Sequence, residues 1–503
     1  MRSGFFIVAI LGCSSVHAQG FNVVNLPVNN GSSRGVSVRE VPAGYLVFGE
    51  KFDVDLQYRA HVELHGVDGG LIWERALVDS GQSAFGYSDP VSPTRGALEW
   101  VASVAVSTPE EMRWRAYRFN GTGDTLWTRS LVAGSLLYPR AAVRQGATYY
   151  FSGLYAANPT DTVKAMIARL DDSGSIIQMV DFPEIQYDIL SLNAGLGGDL
   201  LMAGGKSGQL YPHRSVAMRL DTALNVIWSR DILSGVSGFN GYSSYVSKVV
   251  ADAQGNVLLG GTCNDAYVTS GVSLAEFYIL KLSRLNGSVM WSRRYPVSMS
   301  DHGMLLDLEV LADGDLVSCG YVTPHDEVGF RGCIYRYTPD GEQRWHRYYR
   351  FLTNSDALNE LMDVEAASDG GFVLTGITRL SPQFATVLWL LRLDEHGCVE
   401  PGCQSVGVDE LVVGLPEDAF QCGPVPTNDE VTVSVELPDE LGPFAAMRLV
   451  VTDMMGRPVF EARLDDLRKQ HARLHLGHLG AGTYIIHLAD GMRLFATRKI
   501  MVQ

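Results

Sequence analysis

The chain has 503 residues, a formal charge of −16, and 53 glycines with 21 tyrosines and 8 tryptophans. That length supports two to four domains with substantial cores, and the apolar share is too ordinary for a disordered chain. The acidic balance argues against nucleic acid or an anionic membrane surface as the main partner, while the glycine and aromatic content fits a turn-rich all-β protein.

The first 18 residues read as a signal peptide. Arg2 is a minimal positive start, Phe5 to Leu11 is an apolar run too short to span a bilayer, and Val16-His17-Ala18 sets small residues at −3 and −1 of a cleavage site before Gln19. A lipoprotein box at Ile10-Leu11-Gly12-Cys13 is the alternative. No later stretch is apolar and long enough to be transmembrane. Cleavage would leave six cysteines in an oxidising compartment. Cys398 and Cys403 lie in one turn-rich loop and are expected to close a small disulfide. Cys319 and Cys333 fall on consecutive predicted strands and form a second candidate pair. Cys263 and Cys422 have no evident partner. Buried free thiols are the alternative for all but the first pair.

From residue 36 onward the chain repeats itself. One column is a glycine closing an apolar strand: Gly49, Gly153, Gly204, Gly261, Gly320 and Gly376. A second is a tryptophan with arginine two residues on: Trp73, Trp127, Trp228, Trp291 and Trp345. Gln178 stands where one repeat expects the tryptophan, and Val104 where another expects the glycine. A third column is basic: Arg118, Arg169, Arg219, Lys281, Arg336 and Arg392, with Glu63 in the first repeat. Seven units start near residues 36, 88, 137, 187, 245, 304 and 359, each with room for four short strands. This predicts a seven-bladed β-propeller over 19–403, with the tryptophans as wedges on the outer strands. The seventh unit lacks an outer strand, and residues 21–28 are expected to supply it, with Phe21 in the tryptophan column. The stretch DGGFVLTG followed by LWLLRLDEHGC is similar to propeller repeats in large secreted proteins of the Bacteroidetes. That resemblance implies structure and no activity.

Residues 404–426 read as a linker. Strands resume at Glu430, and alternating patterns over 427–503 predict a small immunoglobulin-like β-sandwich. Asp453 to Val459 (with Gly456 and Arg457), Leu479 to Tyr484 (with Gly482) and Lys499 to Val502 carry a resemblance. In order and spacing they are similar to the type A C-terminal sorting domain of the type IX secretion system. Pro424-Val425-Pro426 departs from that family's usual Pro-Asn-Pro. The resemblance implies recognition by the type IX machinery, export to the cell surface or medium, and cleavage of this domain. Gly456 and Gly482 suit turns that need positive φ, and the apolar alternation of the last strand implies that it is paired.

Chemistry is sparse. There is no nucleophile elbow, Walker loop, zincin motif or complete EF-hand loop, so no cofactor or metal is expected. Gly195-Leu196-Gly197-Gly198 reads as a turn. His471, His475 and His478 read as surface histidines and not as a metal set. The basic column is expected to pair with carboxylates near its turns, with Asp171, Asp221 and Asp394 in reach, although a ring of cations would also suit an anionic ligand. The repeated turn resembles the tryptophan-docking motif of quinoprotein dehydrogenases, which concerns blade packing. Trp114 and Trp389 are expected in inter-blade core. The preferred expectation is a non-catalytic binding, adhesion or scaffold propeller with a glycan or protein ligand. The alternative is a polysaccharide-active hydrolase with carboxylates gathered from several blades at the channel mouth.

Overall fold

The computed structural model describes residues 20–25, 32–52, 58–77, 83–87, 99–107, 111–206, 214–232, 243–264, 275–296, 300–324, 329–351, 358–379, 386–399, 403, 420–436, 447–453, 458–464, 469–490 and 493–503. The signal-peptide segment, Gly456 and Arg457 lie outside them.

Each of the first six sequence units folds into one antiparallel sheet of four consecutive strands, the arrangement that short alternating strands with tight turns favour. Blades 1 to 6 span residues 32–76, 83–134, 136–182, 185–231, 243–296 and 300–349. Blade 7 takes three strands from residues 359–393, and its outer strand is Phe21–Asn25, paired with Thr386–Leu393 so that Phe21 faces Arg392. The first strands of blades 2 to 7 pack side by side in succession, that of blade 1 lies beside that of blade 7, and that of blade 2 packs on the third strand of blade 1. The result is a closed seven-bladed β-propeller.

The core is distributed between blades. Seven apolar clusters each join two neighbouring blades: Phe48 with Trp100 and Phe119 between blades 1 and 2, for example, and Val38 and Val47 with Leu388 and Leu390 between blades 1 and 7. Trp114 and Trp389 are fully buried in two of these layers.

At the rim, Trp73, Trp127, Trp228, Trp291 and Trp345 sit on outer strands, and each ring lies on the turn glycine of the following blade. A Cβ at Gly123, Gly174, Gly287, Gly341 or Gly397 would stand 2.9–3.1 Å from ring carbons. These glycines also hold φ between +68° and +80°, so the position needs glycine for its backbone and for the ring. Phe21 lies on Gly69 in the same way, so the N-terminal strand supplies the wedge of blade 7.

Several expectations change. Cys319 and Cys333 are free and buried. Cys319 is opposite Ile334 and Cys333 opposite Gly320, so adjacent register sends their side chains to opposite faces of blade 6 and into different clusters. Cys398 and Cys403 are disulfide-bonded, with Cα atoms 5.6 Å apart. Asp171, Asp221 and Asp394 do not serve the basic column. Each accepts hydrogen bonds from backbone amides two and four residues on, capping its own turn. The cations reach instead to acids in the turn between the first and second strands or at the start of the second: Arg118 to Glu99, Arg219 to Asp199, Lys281 to Asp252, Arg336 to Asp315 and Arg392 to Asp369. Arg169 lies over the ring of Tyr150.

The C-terminal region has two sheets. One holds Phe420–Gly423, Glu430–Glu436 and Lys469–His475. The other holds Pro458–Arg463, Met447–Asp453, Gly482–Asp490 and Arg493–Val502. Val431, Val433 and Leu474 from the first share one core with Leu449, Ile486 and Ile500 from the second. Gly482 is not at positive φ; it opens a strand opposite Val502, where extended backbone suffices. Leu479 is half-buried against the core, Tyr484 donates from its hydroxyl to the Gly480 carbonyl, and Lys499 is exposed. His471 and His475 are exposed on one strand face, and the His478 ring lies 6.0 Å from that of Phe460, tilted at 43°.

Candidate functional site at the channel and its mouth

The inner strand of each blade is bulged near its middle, as between Gly35 and Ser37, Leu305 and Asp307, and Leu361 and Asp363. A bulge lifts backbone amides out of the ladder, and they need other acceptors. Blades 6 and 7 answer with a repeated Asp-x-Glu. Asp307 accepts from the Val364 amide and Glu309 from the Ala366 amide, both at 3.1 Å. One blade further on, Asp363 accepts from the Val38 amide at 2.8 Å and Glu365 from the Glu40 amide at 3.1 Å. Elsewhere hydroxyls do the same work, Ser191 for Val249, Ser215 for Val246 and Thr262 for Leu305, while Ser33 accepts from the Leu388 amide on the third strand of blade 7.

Two cations partly neutralise the four acids. Lys248 pairs with Asp307 at 2.7 Å, and Arg39 meets Asp363 at 2.9 Å and Glu365 at 3.3 Å. The imbalance shows in Glu309, which burial and then the neighbouring Asp307 and Glu365 push up to about 7. The acids gathered by the channel are therefore committed to joining blades 6, 7 and 1.

The mouth where the inner strands begin is different. A cleft of about 830 Å³ opens there over blades 7, 1, 2 and 3. Its floor includes Ser32, Arg34, Phe52, Tyr58, Tyr138 and Arg140. The Phe52 and Tyr58 rings are 4.7 Å apart, and Tyr58 is 46% exposed. The Arg140 guanidinium lies over the Tyr138 ring, 5.5 Å from its centroid. Arg34 pairs through Nη2 with Glu50 Oε2 at 2.7 Å, the carboxylate side chain being 4% exposed and the arginine 44%. On the blade 7 inner strand Glu360 sits in the register place Arg34 occupies in blade 1. Burial pushes its carboxyl up to about 7, and Arg34 opposes that rise.

None of the cleft residues stands in a repeat column, so a search for periodicity passes them by. The Asp-x-Glu pair was open to such a search, since Asp307-Leu308-Glu309 and Asp363-Val364-Glu365 occupy the same place in adjacent units. Among the described residues no group of three or more His, Cys, Asp or Glu side chains is arranged to hold a metal ion, and no helix is long and apolar enough to cross a membrane.

Comparison with known proteins bears on the two regions separately. No curated protein matches the chain. Among solved structures it is similar to the β-propeller domain of the Trilobed protease from Pyrococcus furiosus, at 10% identity over 73% of this chain and 94% of that one, with a TM-score of 0.42. It is also similar to a family PL25 ulvan lyase bound to -[GlcA(1-4)Rha3S]-, at 10% identity over 75% and 97% with a TM-score of 0.46. A third is the acylaminoacyl peptidase of Pyrococcus horikoshii, at 10% identity over 82% of this chain and 59% of that one with a TM-score of 0.40. Likeness at this level concerns fold and says nothing of chemistry. Residues 423–503 match the family described as the secretion system C-terminal sorting domain. With its two sheets on one core and its paired terminal strand, that region is a type IX sorting domain, and it marks this β-propeller protein for export to the cell surface or the extracellular space.

Proposed function

We propose that the protein is an exported propeller that binds an extracellular ligand in the mouth cleft and performs no reaction on it. The observation that carries this reading is the use of the channel acids. Asp307, Glu309, Asp363 and Glu365 each accept a backbone amide of the next blade, which gives these acids a structural task in joining the blades. The cleft, by contrast, offers rings, hydroxyls and guanidiniums, the groups that hold a ligand. A polysaccharide hydrolase is the second reading. In its favour Glu360, near that same mouth, keeps its proton to about pH 7, as a general acid must.

A glycan and peptide array probed with the full mature chain tests both, scoring retention and product together. We expect retention without product, abolished by Tyr138→Ala. Product formation that Glu360→Gln abolishes would establish the hydrolase and overturn binding alone.

A further inference from the structure

The ring closes at one seam, where the N-terminal strand meets blade 1, and that joint is built differently from the others. Phe21 lies on Gly69, in the turn 66–70 that follows the third strand of blade 1. The turn has the backbone bonds of its counterparts. The Gly66 amide donates to the Gly70 carbonyl and the Gly69 amide to the Gly66 carbonyl, as the Asp171 and Gly174 amides do in blade 3 and the Asp221 and Leu224 amides in blade 4. In those two blades the first residue of the turn also caps it, its carboxylate accepting from the amides two and four residues on. Asn120 caps the turn of blade 2 in the same way. Blade 1 has Gly66 at that place, which has no side chain to offer. His65, one residue earlier, reaches the turn instead. Its Nδ1 is 3.0 Å from the Gly69 carbonyl oxygen and its Nε2 is 2.9 Å from Glu63 Oε2. Glu63 itself stands where the other six repeats carry arginine or lysine, so blade 1 reverses the sign of that column.

Both oxygens are acceptors, and His65 is 2% exposed. A neutral imidazole has one N–H, so it serves one oxygen and turns a lone pair on the other. In a buried site the unserved contact is costly. The titratable and charged groups around the ring come from every side. They are Glu63 and His61 on its own strand, Lys51 and Tyr45 on the second strand, Glu40 on the first, Glu74 on the outer strand, Asp68 in the turn, and Arg392 with Asp369 from blade 7. The N-terminal strand brings none. Lys51 and His61 meet Glu63 at Oε1, at 3.2 and 2.9 Å, and His65 meets it at Oε2. We propose that His65 is a proton-dependent latch on the seam of the ring. With both ring nitrogens protonated it ties the Gly69 turn to Glu63 and seats Phe21. Loss of one proton as pH rises undoes one of the two bonds, and the N-terminal strand lifts from the edge of blade 7.

The test is hydrogen exchange of the full mature chain. It compares Phe21–Asn25 with Val226–Asp231, the outer strand of blade 4, whose Trp228 rests on a turn without histidine. Protection of the N-terminal strand relative to blade 4 should fall about tenfold between about pH 6 and about pH 9. Ring-nitrogen NMR of histidine-labelled protein should show two protons on His65 at the lower pH and one at the higher, its signals being those missing from His65→Gln. His65→Gln keeps a donor for Glu63 and does not titrate, so its two strands should change together with pH. Gly66→Asn supplies the cap that blade 2 has, at a place where a Cβ comes closer than 3.7 Å only to Asp68 Oδ1, and should flatten the step with His65 intact. Unchanged exchange in blade 4 shows that a variant still folds, and if His65→Gln does not, Gly66→Asn decides. A singly protonated ring at the lower pH overturns the proposal. So do parallel protection of the two strands in the parent, a step that persists in folded His65→Gln, and a step of full size in Gly66→Asn.

Discussion

Glu63 and Glu309 are both inward-facing glutamates, and their surroundings drive them apart. Burial alone would raise Glu63, but hydrogen bonds with His61 and His65 and the charge of Lys51 outweigh it and hold the carboxyl well below its usual range. Both ring nitrogens of His65 face acceptors, Glu63 at 2.9 Å and the Gly69 carbonyl at 3.0 Å, so both bonds form together only when the ring donates from both. Gly69 is the turn on which Phe21 closes the ring. Glu309 has the reverse setting, with burial and two acids raising it to about 7. A raised carboxyl means that the folded state holds more protons than the unfolded chain between its usual value near 4.5 and 7. Stability is therefore lost as pH rises through that window. Glu309→Gln keeps an oxygen for the Ala366 amide and removes the ionisation. We expect the variant to match the parent near pH 5, to exceed it at pH 8 by up to about 2 kcal/mol, and to show a flatter slope between. Thermal unfolding across that range checks it, and parallel slopes would count against the assignment.

At the scale of strands and turns, the one blade that breaks the tryptophan column shows what the column does. Gln178 replaces the wedge, and its amide donates to the Ala223 carbonyl in the next turn at 3.2 Å. That turn carries Leu224 where its neighbours carry glycine. Leu224 holds φ at 65° and is 3% exposed, so it accepts an unfavourable backbone to fill the space a tryptophan ring would take. The two departures are halves of one exchange. Gln178→Trp should collide with Leu224, and Leu224→Gly should open a cavity; each is expected to cost about 2 kcal/mol. The double variant should recover most of that, for a coupling of at least about 1 kcal/mol. Denaturant unfolding of the four proteins measures it, and additive losses would show that the sites are independent. This is also why the architecture was legible before any coordinates. Wedge, turn glycine and strand-closing glycine recur at fixed local spacing, and backbone sterics tie each to one residue type. The cleft was not legible, and the recurring Asp-x-Glu did not disclose what its acids bind, because the partners are remote in sequence: Asp363 binds Ser37 across 326 residues. The inter-cysteine guess failed for a related reason, since consecutive strands do not disclose which face each side chain takes.

Over the whole molecule, the sorting domain and the propeller each have their own core. The sorting domain rests on one apolar cluster where the propeller has seven. One cluster of thirteen buried residues serves all its strands, and its last strand is not a loose end. Ile500 and Val502 are buried in that cluster, Met501 is 46% exposed, and Thr427 bridges the strand from outside the sheet. The Thr427 amide donates to the Met501 carbonyl, and the Gln503 amide donates to the Thr427 carbonyl. Deleting residues 500–503 removes two buried aliphatics and this ladder together. At about 2–4 kcal/mol for each aliphatic, the loss approaches the whole stability of a domain this small. We expect the shortened protein to keep a folded propeller, to lose the separate unfolding transition of its sorting domain, and to stay inside the cell. Met501→Ala, at a position that faces solvent, should be exported normally. Measuring surface and medium fractions beside calorimetry tells the two causes apart. A truncated chain that unfolds as expected yet still reaches the exterior would mean that the machinery reads something other than the folded sandwich.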